Sequence, residues 1–394
     1  MKPIPEVSEL PINERDRRWT KVREEMWKRE LGALVVWGSS AFFSNYNVNL
    51  RYLCNEKTEG YLVFPLEAEP TLLTFIRKKP EVAWVTDWRS GHPKYSRAIS
   101  DRLKELHIED AKIGIVGLSG YFGEMGFPHT TYVSLTDYLP AAHLEDATEI
   151  VEDAQRIKSD VEISCIKVAC KTASKVLQTV VDTAKVGVKD YEVRSKIMDT
   201  LLRNGSDFDT MVFCNSGKEI FHAAQAGSFQ PADGKTLQKG DVILTEFDCK
   251  YLGYNAQHNQ PFSVGKPDRE WSDIFSVAVE AFDQGLKTLK PGITMKELDE
   301  AFLSPMRKSG YTHHNPCFHG LGLGIDEPLG SLPAQYTQKP KTSFVMQAGM
   351  VLEFEPHVVT SNGKKGLTLG CPVLVTESGC ELLNESWQPE FKVA

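Results

Sequence analysis

A chain of 394 residues, 41% hydrophobic and 25% charged, carries enough apolar material for two or three packed domains of ordinary water-soluble composition. Its formal net charge of −8, with no long basic run, argues against a nucleic-acid partner. No apolar segment reaches the roughly 18 residues of a membrane span, and Met1-Lys2-Pro3-Ile4-Pro5-Glu6 lacks the charged start and apolar stretch of a signal peptide, so a cytoplasmic protein with no membrane partner is expected. The eight cysteines are scattered without a CxxC pair, the pattern of reduced thiols.

Residues 1 to about 15 are polar and proline-rich and read as an arm. Arg17 to Arg29 has helical spacing, with Trp19, Val22, Met26 and Trp27 on or near one face. Ala33–Trp37 reads as a buried strand ended by Gly38-Ser39-Ser40, and Tyr61–Pro65 and Thr71–Phe75 as further strands. A helix over Arg97–Leu106 and a strand over Lys112–Val116 complete an alternation that predicts a small α/β domain ending near residue 150. Its aromatics Phe42, Phe43, Tyr46 and Trp84 are expected in the core, the alternative being a cage for a cation. A charged helix is predicted from Arg156 to Lys185, with a stripe at positions 161, 165, 168, 172 and 176.

The second half contains an internal repeat. Lys185-Val186-Gly187-Val188 precedes a helix ending at Arg203-Asn204-Gly205, and Lys290-Pro291-Gly292-Ile293 precedes one ending at Lys308-Ser309-Gly310, with the glycines 18 residues apart in both. Each unit is followed by an echo in which a glutamate stands six residues after a glycine: Gly240 to Glu246, and Gly349 to Glu355. Two such units predict a pseudo-twofold domain whose equivalent glutamates point into one cleft.

Val242 to Tyr251 predicts a strand, and Glu246 and Asp248, two apart, share one face of it. Two inward carboxylates need a cation, a proton or a positively charged substrate; the alternative is that one of them faces solvent. Gly320-Leu321-Gly322-Leu323-Gly324, after His319, permits close backbone approach but has no following helix pattern and is not a nucleotide fingerprint.

His319-Gly320-Leu321-Gly322 together with Gly349-Met350-Val351-Leu352-Glu353-Phe354-Glu355-Pro356 resembles the catalytic half of the creatinase, prolidase and methionine aminopeptidase family. Arg156-Ile157-Lys158-Ser159-Asp160-Val161-Glu162-Ile163 is similar to the start of that family's pita-bread domain. The resemblance implies an α/β creatinase-like N-terminal domain over residues 1–150, an α+β pseudo-twofold pita-bread domain over 155–394, and a homodimer in which the first domain covers the neighbour's cleft. Members usually hold two metal ions with two aspartates, a histidine and two glutamates. Those places here read Glu246, Gln257, His319, Glu355 and Gly370. An amide is a poor metal ligand and glycine offers none. His258, beside Gln257, is expected on the opposite strand face unless a bulge intervenes. Asp326 stands where many relatives carry a second histidine.

Gly217-Lys218-Glu219-Ile220-Phe221-His222 resembles the family's G-x-x-x-x-H loop, whose histidine is the acid/base group in metal-free creatinase. By the same resemblance Glu355 helps to bind a cationic substrate, with Glu353 on the same strand face and His357 at the strand end. The expected activity is therefore metal-independent hydrolysis of a C–N bond in a small cationic or zwitterionic compound. His222, His319 and Glu355 would be catalytic, Glu246, Asp248 and Gln257 would bind substrate, and no cofactor would be needed. One alternative is a hydrolase or lyase holding one divalent metal ion on Glu246, His319 and Glu355. Another is a non-catalytic pita-bread binding module.

Overall fold

The computed structural model describes residues 9–39, 48–75, 83–118, 126–207, 210–222, 234–314, 316–324, 327 and 344–393. Phe42, Phe43, Tyr46 and Asp326 lie outside these. The chain divides into two units, Ser8–Arg156 and Ile157–Ala394. Among the described residues no helix is long and apolar enough to cross a membrane.

The first unit runs α1 (Ile12–Lys28), β1 (Ala33–Gly38), α2 (Val48–Cys54), β2 (Gly60–Pro65), β3 (Thr71–Thr74), β4 (Asp87–Ser90), α3 (Tyr95–Glu105), β5 (Lys112–Val116), α4 (His129–Tyr138), β6 (His143–Asp146) and α5 (Thr148–Arg156). Its strands form one mixed sheet in the order β4-β3-β2-β1-β5-β6. Alternate residues of the central strands, Ala33 and Val35, Tyr61 and Val63, Ile113 and Ile115, pack with Ile99, Leu103 and Leu135 into a core. The expected arm is shorter than read, because α1 begins at Ile12. Trp27 also departs from expectation: it is 72% exposed, since Trp19, Val22 and Met26 already fill the buried stripe. Trp84 is core, and the guanidinium of buried Arg18 lies 4.9 Å from its ring centroid, so the cation it meets is the chain's own.

The second unit runs α6 (Asp160–Thr183), α7 (Asp190–Arg203), β7 (Val212–Gly217), β8 (Val242–Tyr251), β9 (Tyr254–Ser263), α8 (Arg269–Thr288), α9 (Met295–Lys308), β10 (Phe318–Gly320), β11 (Val351–Phe354), β12 (His357–Val359), β13 (Gly366–Thr368), β14 (Cys371–Val375), β15 (Cys380–Leu382) and β16 (Lys392–Val393). One sheet has the order β16-β9-β8-β7, a second β10-β11-β14-β15, and β12 pairs with β13. The helix expected from Arg156 to Lys185 is α6, which begins four residues later, at Asp160, and ends at Thr183. Ser159 sets its start: the side chain caps α6 by accepting from Glu162 N, while the Glu162 carboxylate accepts from Ser159 N at 2.8 Å. Of the expected stripe, Cys165, Thr172 and Val176 are buried and Val161 and Val168 are half-buried; the buried face is wider, and also takes in Glu162, Ile166, Ala169, Ala173, Leu177 and Val180.

The repeat is a structural duplication. Gly187 and Gly292 both have φ of +92°, and Gly240 and Gly349 have +88° and +87°. Gly187 N donates to Leu237 O and Gly292 N to Met346 O, each at 2.9 Å; Leu237 N returns to Val188 O and Met346 N to Ile293 O, each at 2.8 Å. Helices α7 and α9 have 14 residues each. All eight cysteines are free thiols.

Candidate active site

β8 and β9 pair without interruption from Val242↔Ser263 to Tyr251↔Tyr254, so alternate residues separate onto two faces. α6 packs against both strands. It meets the face of Phe247, Cys249, Tyr254 and His258, where the Tyr254 hydroxyl donates to Glu162 Oε1 at 2.8 Å. The other face carries Glu246, Asp248 and Lys250 opposite Asn259, Gln257 and Asn255, all buried. Both expected carboxylates therefore point inward. No bulge brings His258 to them: it stacks on Phe247 and accepts from the Asn384 amide at 2.8 Å.

Charges on this face are partly matched from within. Gln257 Nε2 donates to Glu246 Oε1 at 3.0 Å, and Lys250 Nζ lies 3.8 Å from Asp248 Oδ2. Sequence reasoning missed Lys250 and Asn259. The signal was present, since period-2 spacing places Lys250 with Glu246 and Asp248, and Asn255 and Asn259 with Gln257.

The second sheet supplies the remaining groups. His319 on β10 pairs with Glu353 on β11, which puts both side chains on one face. His319 Nδ1 is 2.9 Å from Gly320 O and so carries the proton it donates there, which turns Nε2 toward Glu355 Oε1 at 3.7 Å. Glu355 follows β11, and its Oε2 accepts from the Asn259 amide at 3.3 Å, linking the two sheets. Burial, then the charges of Glu355, Glu246 and Asp248, push the Glu353 carboxyl well above the usual carboxylate range. Gly370 is bridged to Asn259. Glu246, Asp248, Gln257, Glu353, Glu355 and Gly370 thus surround one acidic region.

His222 sits beside a second group. Its ring centroid lies 4.7 Å from His357 and 5.9 Å from His314. His357 Nε2 donates to Phe221 O at 2.6 Å, which ties the residue before His222 to β12. Burial, assisted by His314, lowers the His222 imidazole to about 4, so it is neutral near pH 7.

The segments carrying these residues are anchored by the Lys158–Glu162 motif. Lys158 N donates to Gly349 O at 2.9 Å, at the entrance to β11, and its ammonium makes a buried ion pair with Glu327. Asn255 Nδ2 donates to Gly322 O and Leu323 O, which fixes the glycine-rich run after His319.

Residues 164–377 match the model of metallopeptidase family M24, more than half of the chain. The chain belongs to metallopeptidase family M24. An Xaa-Pro dipeptidase of Pyrococcus furiosus is 25% identical over 289 residues, covering 73% of this chain and 77% of that protein. An uncharacterised hydrolase/peptidase of Sinorhizobium fredii is 26% identical over 400 residues, 94% of each. Among solved structures, an Xaa-Pro dipeptidase from Bacillus anthracis superimposes with a TM-score of 0.79 at 19% identity over 96% of this chain and all of that one. An X-Pro aminopeptidase from Thermotoga maritima gives 0.78 at 20% identity over 95% and 99%. These likenesses give the fold, that of the pita-bread enzymes, and family membership places the chain among hydrolases.

The donor set does not fit the metal pair that family M24 implies. The amide of Gln257 presents its N–H groups to Glu246, where a second anionic ligand is needed, and position 370 offers no side chain. Lys250 places an ammonium on the same face. Among the described residues, no three histidine, cysteine or carboxylate side chains are arranged to hold an ion.

Proposed function

We propose that this M24-family chain is a creatinase-like hydrolase of a C–N bond in a small cationic or zwitterionic compound, acting without a metal ion. The Gln257–Glu246 hydrogen bond carries the reading: the amide stands at a metal-ligand place and is committed as a donor. In this reading Glu246, Asp248 and Glu355 receive the positive group of the substrate, with Gln257 orienting Glu246. His222, neutral near pH 7, takes a proton from water as the water oxygen bonds to the electrophilic carbon. The C–N bond then breaks, and the same proton passes from His222 to the departing nitrogen. His319, with Nε2 turned to Glu355, orients the attacked group. The homodimer that the resemblance implies belongs to this proposal.

Tag-free protein is to be assayed for elemental metal content and oligomeric state, then for hydrolysis of guanidino and amidino carboxylates before and after chelation. Proline dipeptides form the control set, because relatives are named Xaa-Pro dipeptidases. Turnover that survives chelation is expected. Loss of turnover restored by one particular divalent ion would overturn the reading in favour of a single-metal hydrolase or lyase. Unchanged turnover in His222→Ala would remove His222 from the proton transfer, and binding of these compounds without any turnover would replace the enzymatic reading with a non-catalytic binding module.

A further inference from the structure

Glu353 is 0% exposed, and among the described residues neither of its carboxyl oxygens has a hydrogen-bond partner. Among the described residues it forms no ion pair. Burying such a group is costly unless a donor or cation meets it. The Asn259 amide donates to Glu355 Oε2 instead, at 3.3 Å.

The position of Glu353 explains a gap in the metal-ligand pattern. A Cβ built on Gly370 would stand 2.7 Å from Glu353 Oε1, 2.8 Å from Phe354 O and 2.9 Å from Asn259 Nδ2. The Glu353 carboxylate, with the Phe354 carbonyl and the Asn259 amide, thus occupies the space in which a side chain from position 370 would begin. On the facing sheet, Asp248 is directly opposite Gln257 in register. Both positions that lack a carboxylate thus have one next to them, supplied from a neighbouring strand.

The polar atoms without partners share one character. Glu353 Oε1 and Oε2, Gln257 Oε1 and Asn259 Oδ1 are all buried acceptors lacking a donor. They come from three strand-borne side chains around one region. A group that satisfies them must carry several N–H donors and positive charge, and a planar guanidinium or amidinium has both.

We infer that Glu353 is a further substrate-binding residue, supplying from β11 the carboxylate that position 370 lacks and receiving, with Gln257 and Asn259, the guanidinium or amidinium group of the substrate. This rests on the cationic-substrate reading above and adds to it a residue and a substrate class.

The test is calorimetric titration of the full-length protein with methylguanidinium chloride, with manganese(II) as the competing cation and melting temperatures recorded in parallel. Wild type is expected to bind methylguanidinium, and Glu353→Gln to bind it at least tenfold more weakly while melting no lower than wild type. Glu353→Asp, which keeps the carboxyl group, is expected to recover part of the affinity. Equal binding by wild type and Glu353→Gln would overturn the role of Glu353 and leave the cationic-substrate reading standing. A Glu353→Gln protein that melts well below wild type, with no recovery in Glu353→Asp, would mark a structural residue and also overturn it. Wild type that binds manganese(II) and not methylguanidinium, or binds neither, would overturn both together.

Discussion

Lys250 is the residue whose position most changes the reading of the site. A lysine is normally assigned to solvent, yet its ammonium is buried beside Asp248 on the acidic face. Taking that ammonium away leaves the Asp248 charge in a dry strand environment, so Lys250→Met is expected to cost about 3 kcal/mol of unfolding free energy. Adding Asp248→Asn is expected to recover part of the loss. A double variant no more stable than the single one in denaturant titrations would show that the two groups are not coupled. Single residues were legible in the sequence where a motif or strand alternation marked them, as for His319, Glu246 and Asp248. Lys250 and Asn259 carried the same alternation signal and were passed over, whereas the space-filling role of Glu353 was not legible, because it depends on what a missing side chain leaves open.

At the scale of elements, Glu162 ties two of them together. One carboxylate oxygen caps α6 and the other accepts from Tyr254 on β9. Tyr254→Phe removes a hydrogen bond to a carboxylate and is expected to cost about 2 kcal/mol; Ser159→Ala removes only the cap and is expected to cost about 1 kcal/mol. Chemical denaturation compares the two, and the reverse order would mean that the cap, not the β9 contact, holds the helix start. The repeated turns allow a second comparison. A Cβ at Gly240 meets nothing within 4 Å, so Gly240→Ala carries only the left-handed backbone penalty of about 1 kcal/mol. A Cβ at Gly349 meets Ile157 Cγ2 at 2.8 Å, so Gly349→Ala is expected to be the more damaging, and equal losses would refute this. Helices α1, α3 and α6 and strands β1, β2, β3, β5 and β8 were legible from their hydrophobic periods, and α7 and α9 from the repeat; α2, α4, α5 and α8 were not read. The start of α6 was read four residues early, at Arg156, although Ser159-Asp160-Val161-Glu162 has the spacing of a capping box.

At the scale of the whole molecule, buried imidazoles set the acid limit. Burial lowers both His222 and His258 from 6.5 to about 4, and His357 also well below its ordinary value. Between those values the unfolded chain binds protons that the folded chain refuses, so their contribution to stability is complete above about pH 6.5 and is lost as pH falls toward 4. Unfolding midpoints should fall through that window, and His258→Gln should flatten the fall; an unchanged slope would place the proton uptake elsewhere. The duplication was the most legible large feature, because glycines with matching spacing mark the same backbone bonds in both halves. It also distributes the acidic groups evenly. Each half keeps its first acidic position, Glu246 or Glu355, and lacks the second, at Gln257 or Gly370. Each half also carries an extra carboxylate two residues from the retained one, Asp248 or Glu353. The two halves therefore hold equal numbers of these carboxylates, each pair two residues apart. Restoring Asp at 257 alone would crowd one half with a third acid and unbalance the pair.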